Sequence, residues 1–344
     1  MLQYKFRPGW GWIVSILFIT SLLFACHPAS VFAEKTEVNF EAKAVLPENQ
    51  RSEASYYDLK VEPNQSQELT IKLKNTSSEK IKVKVAANNA TTNKNGVLDY
   101  SQHDQKLLGG PSLEELISGP QTVELNPNEE KDVVFQLKIP STGFEGTVLG
   151  GFYCYEEKNK AEDQPAGFSL ANKFAYTIGI QLQCSDKKIT PELKLLEAKP
   201  GLDNGYLTVY AKLANPQPMI MSQLDLHAFI TKKKQKEVLH DVSKLVSLAP
   251  RSTFKLPISW ENEPLKKGEY TLTTVLKEKS GKVWTLKKDF TVKGKDESLN
   301  NKTVKLKKSK NNNYQYLYGG LIVCLLIIGL LLWHITKLRR NKGN

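Results

Sequence analysis

His103-Asp104 is the pairing in this sequence with the plainest acid–base character, an imidazole next to a carboxylate in a polar stretch. Proton transfer or nucleophilic attack needs several such groups converging on one point. The other histidines between the two apolar ends, His227 and His240, sit alone in strand-like sequence. No serine occupies a G-x-S-x-G elbow, and neither H-E-x-x-H nor a glycine-rich phosphate loop occurs. Asp99 has no run of alternating carboxylates around it, so calcium is not expected. The residue types predict no catalytic residue, no metal centre and no cofactor. Carboxylates distant in sequence are all a glycosidase needs, so a cell-wall hydrolase or transferase stays as the alternative.

Residues suited to contact are easier to find. The stretch "ANNATTNKNGVLDYS", residues 87–101, is crowded with amides and hydroxyls. Asn95-Gly96 is the dipeptide that best tolerates positive φ, which predicts a tight turn. The same amides and hydroxyls suit hydrogen bonds to a sugar or a peptide. Tyr56, Tyr57, Tyr153 and Tyr155 are candidates for stacking, although neighbours on a strand point oppositely and half of them belong to a core. Gly150-Gly151, inside a strand pattern, marks a bulge or a close backbone approach. Of four cysteines, Cys154 and Cys184 lie in the body. An oxidising exterior permits a disulfide between them, and two buried free thiols are the alternative. A plain hairpin with its tip near residues 164–166 would set Cys154 opposite Tyr176 instead.

Strands must position these residues. "QELTIKLKN", "EKIKVKVAA" and "KDVVFQLKIP" alternate apolar and polar side chains with period two, the signature of sheets with one face in a core. Further strand patterns run from "FAYTIGIQLQ" to "KVWTLKKDFTVKG", and "EKSGKVW" supplies a tight turn. "HDVSKLVSLAP" fits a helical turn or a strand. "PSLEELIS" is the best short helix, with Ser112 as cap and Glu115 three residues on. The expectation is an all-β body of two sandwiches, residues 34–157 and 168–293, joined by a charged linker at 158–167. Pairing of 174–183 with 148–155 would instead complete the first sandwich and move the hinge to 185–190.

The ends read differently. Residues 1–33 show a basic start, an apolar run too short for a comfortable span and a small-residue cleavage pattern, as in a secretory leader. Residues 317–335 form an apolar run of about 28 Å as a helix, flanked by Tyr314, Tyr316, Tyr318 and Trp333. A span at 314–336, a basic tether at 294–313 before it and a cytoplasmic tail at 337–344 are expected. The leader exports the body and the span then stops transfer, so the body faces outward and the protein sits in the cell membrane as a single-pass chain. The net charge of +12 would suggest nucleic acid, but that topology excludes it and leaves wall polymers, lipids and acidic proteins.

"AVLPENQ", "SYYDLKVEPNQSQELTIKLKN", "NNATTNKNGVLDYS" and "GTVLGGFY", in this order, resemble the WxL-interacting proteins of Gram-positive bacteria. "KFAYTIGIQL" and "LKKGEYTLTT" are similar to that family's second domain. The resemblance implies two immunoglobulin-like sandwiches, the first binding peptidoglycan and the second binding host or matrix proteins, beside WxL-domain partners in a non-catalytic adhesion complex. It carries over Pro47, Glu48, Asn49 and Gln50, the stretch 89–93 with Thr91, Thr92 and Asn93, and the structural glycines Gly96, Gly150 and Gly151. Tyr56 and Tyr57 complete the candidate contact set.

Overall fold

The computed structural model describes residues 38–157, 174–261, 263–304, 327–334 and 337. The expected leader and the linker at 158–167 lie outside the described residues, as does most of the expected span. No helix among the described residues is long and apolar enough to cross a membrane.

The first sandwich comprises β1 (Phe40–Val45), β2 (Tyr57–Lys60), β3 (Ser66–Asn75), β4 (Ile81–Asn89), the short pair β5 (Thr91–Thr92) and β6 (Leu98–Asp99), α1 (Leu113–Leu116), β7 (Gln121–Leu125), β8 (Glu130–Lys138), β9 (Thr147–Glu156) and β10 (Ala175–Gln183). One sheet runs β1-β3-β8 and the other β2-β10-β9-β4-β7. Alternation assigns the faces: Leu69, Ile71 and Leu73 of β3 point inward, as do Val133, Phe135 and Leu137 of β8. Phe152 anchors the core, 4.5 Å from Phe135 and 6.0 Å from Tyr57 between ring centroids. Ser112 caps α1 in a reciprocal box with Glu115, each satisfying the other's backbone N–H.

The second sandwich contains β11 (Lys194–Asp203), β12 (Tyr206–Asn215), β13 (Met221–Lys232), β14 (Val238–Leu248), β15 (Ser252–Ser259), β16 (Gly268–Lys277) and β17 (Val283–Val292). Its sheets run β11-β12-β15 and β14-β13-β16-β17. Asn204-Gly205, both at positive φ, closes the two-residue hairpin between β11 and β12. The two sandwiches repeat one device. Asn75 ends β3 and donates to the carbonyls of Glu79, Leu125 and Asn126; Asn215 ends β12 and donates to those of Met219 and Ala249. Each buried amide ties a strand end to loops that need a partner for their carbonyls.

Two expectations are corrected. β10 pairs with β9 over nine residues and with β2 over four, so it belongs to the first sandwich and the second begins after Gln183, not at 168. Residues 296–304 are not a free tether. A 3-10 turn (Asp296–Ser298) and α2 (Leu299–Lys302) fold back on the second sandwich, where the Asn300 side chain bonds both backbone groups of Leu265. Val304 N–H then donates to the Gly205 carbonyl at 2.8 Å.

The sandwiches meet at a built junction. Thr92 Oγ1 accepts the Ala249 N–H at 2.9 Å and donates to the Ser247 carbonyl at 3.3 Å. Arg251 is buried, and its guanidinium donates to the carbonyls of Pro111 (2.9 Å) and Glu145 (3.3 Å). Leu108 N–H donates to the Arg251 carbonyl, Ser247 N–H to that of Gly96 and Thr147 N–H to that of Pro218, each at 2.7 Å. Ala90, Leu149 and Ala249 pack in a small apolar cluster with Leu98, Tyr100 and Ile220. Lys94 and Asp203 pair at its margin.

Candidate functional site

A groove of about 940 Å³ runs along the first sandwich where its two sheets part. Its walls are Ala42 to Ala44 of β1, residues 176–179 of β10, Leu46, Ser55, Tyr56 and Leu149, and Leu98 to Tyr100 at its foot. Sequence explains the placement. Tyr56 lies over Gly179, its nearest side-chain atoms 3.7 Å from where a Cβ would stand, an ordinary contact distance. Tyr100 lies closer over Gly151, at 3.2 Å. Gly150 is tighter still, since a Cβ there would come within 2.3 Å of the Asn88 carbonyl oxygen and 2.4 Å of Leu113. Tyr176 is fixed edge-on to Phe40 at 5.3 Å. Burial pushes the Tyr100 hydroxyl up to about 12, so it stays a neutral donor at any physiological pH.

The predicted contact residues divide. Tyr56 is 41% exposed and faces the groove, whereas its neighbour Tyr57 is 0% exposed and donates from its hydroxyl to the Thr70 carbonyl. Tyr57 is therefore a core residue, corrected from a contact candidate. The Pro47–Gln50 loop shapes the groove from behind. Asn49 donates to the Lys60 carbonyl and to Gln67, and Gln50 donates to the Tyr56 carbonyl at 2.6 Å while accepting the Asp58 N–H. Both amides are engaged within the fold, Gln50 in holding Tyr56 and Asn49 in holding Lys60 and Gln67. Pro47 adds its carbonyl to the turn, accepting the Gln50 N–H, and the Glu48 side chain has no partner among the described residues.

The stretch 91–97 forms the expected turn, with the Asn93 side chain accepting the N–H groups of Asn95 and Val97 and Gly96 at φ +79°. Its Thr92 is buried against the second sandwich. Thr91 Oγ1 donates to the Asp99 carbonyl. Thr91, Thr92 and Asn93 thus shape and seat the junction hairpin; Thr92 is buried there, while Thr91 and Asn93 stay partly exposed. Cys154 and Cys184 are free thiols. Cys154 stands opposite Tyr176, and Cys184 lies by Gly143, so no bridge joins them. Sequence reading did not place Tyr100, Tyr176, Asp99 and Lys43 at the groove; for Tyr100 the signal available was Gly151, beneath its ring.

The imidazoles of the two sandwiches, His103, His227 and His240, fall at three separate places. His103 Nδ1 lies 3.1 Å from Glu114 Oε2, and with Asp104 these groups lie close enough to share a cation. Both Glu114 oxygens already accept backbone N–H groups, of Asn89 and Asp104, so the cluster staples a loop. His227 faces Asp241 across a solvated strand pair at 3.3 Å. His240 is buried 4.2 Å from Trp260, its Nδ1 without a partner and its pKa lowered by burial.

Residues 40–156 match the family model described as WxL Interacting Protein, peptidoglycan binding domain, and residues 165–302 match WxL Interacting Protein, host binding domain. No curated protein matches the chain. Among solved structures, a chain of the chaperone–tip adhesin complex of CFA/I fimbriae is 10% identical with a TM-score of 0.32, over 72% of this chain and 98% of that one. The YadV chaperone is 10% identical with a TM-score of 0.29, over 74% and 100%. A chain from the Salmonella enterica SafA pilin–SafB chaperone complex is 10% identical with a TM-score of 0.26, over 69% and 100%.

Proposed function

The chain belongs to the WxL Interacting Protein family, a peptidoglycan-binding domain followed by a host-binding domain, and from that premise we propose a non-catalytic scaffold at the cell surface. Each domain is read as an immunoglobulin-like sandwich. The first contacts peptidoglycan and uses the Tyr56–Tyr176 groove for a surface partner; the second faces a host matrix protein. WxL-domain proteins are the partners assembled on it. The 314–336 segment is read as the membrane anchor and 337–344 as the cytoplasmic tail.

The observation that carries the reading is the junction. Buried Arg251 and Thr92 tie the two sandwiches by hydrogen bonds, which favours one mutual geometry for two binding surfaces. A bridge between wall and partner is served by that geometry. The full chain in detergent micelles, mixed with purified peptidoglycan sacculi, is expected to co-sediment and to release no soluble muropeptide. Loss of co-sedimentation at every salt concentration would remove wall binding from the reading, and muropeptide release would replace the scaffold with a hydrolase.

A further inference from the structure

The groove borders a sheet edge that is only half covered. β9 pairs with β10 along its whole length, from Ala175 to Gln183. On the other side β2 pairs in parallel with residues 180–183 alone. Before Tyr57 the chain bends away, its Tyr56 carbonyl held by Gln50. Residues 175–179 of β10 therefore have no neighbouring strand on that side among the described residues.

Backbone direction tells which groups are left. Gln183 turns its carbonyl to the β2 side, where it accepts the Val61 N–H. N–H and C=O of one residue point the same way and alternate along a strand. Ala175, Thr177 and Gly179 thus direct their N–H groups into the empty lane, and Ala175 and Thr177 their carbonyls. Across the groove, β1 is the free edge of the facing sheet. Asn39 turns its carbonyl to β3, where it accepts the Thr76 N–H, so Ala42 and Ala44 direct theirs outward.

Edge strands are normally guarded by proline, by inward charge, by a bulge or by a covering segment. Here the lane has small residues, an unbroken register and apolar rims at Leu46 and Tyr56. We propose that this lane accepts an extended polypeptide segment of a partner protein, added to β10 in line with β2. Five residues at about 3.3 Å each make a lane of roughly 17 Å, the length of an ordinary strand. A glycan is the poorer occupant. The Asn49 and Gln50 side-chain amides near the groove are already engaged, and the open backbone groups of residues 175–179 stand at strand spacing, which a peptide matches and a sugar does not. The inference deepens the reading of the first sandwich as the holder of a surface partner and rests on it.

Amide hydrogen exchange of the full chain in micelles tests this, with acetyl-Val-Thr-Val-Thr-Val-Thr-amide as the peptide probe and chitohexaose as the sugar probe. The peptide is expected to slow exchange at Ala175, Thr177 and Gly179 by about tenfold, with no change at Tyr176 and Ile178, which already bond β9. Thr177→Pro should abolish that protection, because it removes a donor from the lane and none from the β9 ladder. Its co-sedimentation with sacculi should be unchanged, so failure of the lane and failure of wall binding are read separately. Protection by chitohexaose alone, protection without the alternation, or protection that survives Thr177→Pro would overturn the proposal. Slowed exchange that tracks protein concentration without probe would assign the edge to a second copy and overturn it equally. The exchange pattern of the unsubstituted chain decides the matter if the proline variant does not fold.

Discussion

Thr92 and Ala249 stand 157 residues apart and share one hydrogen bond across the domain junction, the Ala249 N–H donating to Thr92 Oγ1 at 2.9 Å. The same hydroxyl donates onward to the Ser247 carbonyl, so one oxygen satisfies a buried N–H and a half-buried carbonyl. Thr92→Val keeps the shape and strands both groups. The expected cost is about 1–3 kcal/mol, measured by denaturant unfolding of the full chain, and Thr92→Ser should recover most of it. No loss in the valine variant would mean that water replaces the hydroxyl.

Gly96 offers a second test of the junction. It holds φ +79°, and a Cβ there would come within 2.3 Å of Val246 Cγ1 of the other sandwich. Gly96→Ala should cost about 1–2 kcal/mol from the left-handed backbone alone, and more from the clash. Adding Val246→Ala removes the 2.3 Å contact with Cγ1, although Cβ stays 2.8 Å away and the lost core methyls carry a cost of their own. The double variant should therefore be more stable than the two single effects predict, by about 0.5–3 kcal/mol of coupling. Strict additivity would separate the two residues.

His240 makes stability depend on pH. Burial lowers its pKa in the folded chain, and Glu261 and Glu263 oppose that only partly. The unfolded chain takes up the proton near pH 6.5 while the folded chain still resists it. The stability is therefore complete above about 6.5 and is lost as pH falls through the lower folded value. Thermal melts between pH 5 and 8, a range set around that ordinary histidine value, should show a falling Tm on the acid side. His240→Phe should flatten that part of the profile, and an unchanged slope would assign it to other groups.

The two body thiols should behave unequally. Burial pushes the Cys154 thiol up to about 12, leaving almost no thiolate, while Cys184 is half-buried. Alkylation of the native chain followed by peptide mapping is expected to mark Cys184 slowly and Cys154 only after unfolding. A reducing agent should leave the melting temperature where it was; a drop would reveal a bridge.

The alternation in "QELTIKLKN" and "KDVVFQLKIP" was sufficient to assign β3 and β8 with the correct faces inward, and the Ser112–Glu115 box was readable from its spacing. Such features depend on neighbours within a few residues. Partner choice does not. The pattern in "FAYTIGIQLQ" tells which side of β10 is apolar but not whether β9 or a strand of the second sandwich lies beside it. Tyr56 and Tyr57 had to point oppositely, and only the pairing of Tyr57 with Ile180 decides which one goes inside. The hairpin at 91–97 was legible as a turn, while its partner lies some 150 residues later, where no local pattern can announce it.

The parallel union of β2 with β10 also sets a timetable. A polypeptide delivered from its N-terminus, by ribosome or by translocase, presents β1 to β9 long before β10 arrives. Until Gln183 has emerged, the cavity destined for Ile178, Ile180 and Leu182 stands open beside Phe152. The first sandwich therefore closes its core only with the last of its strands to be made.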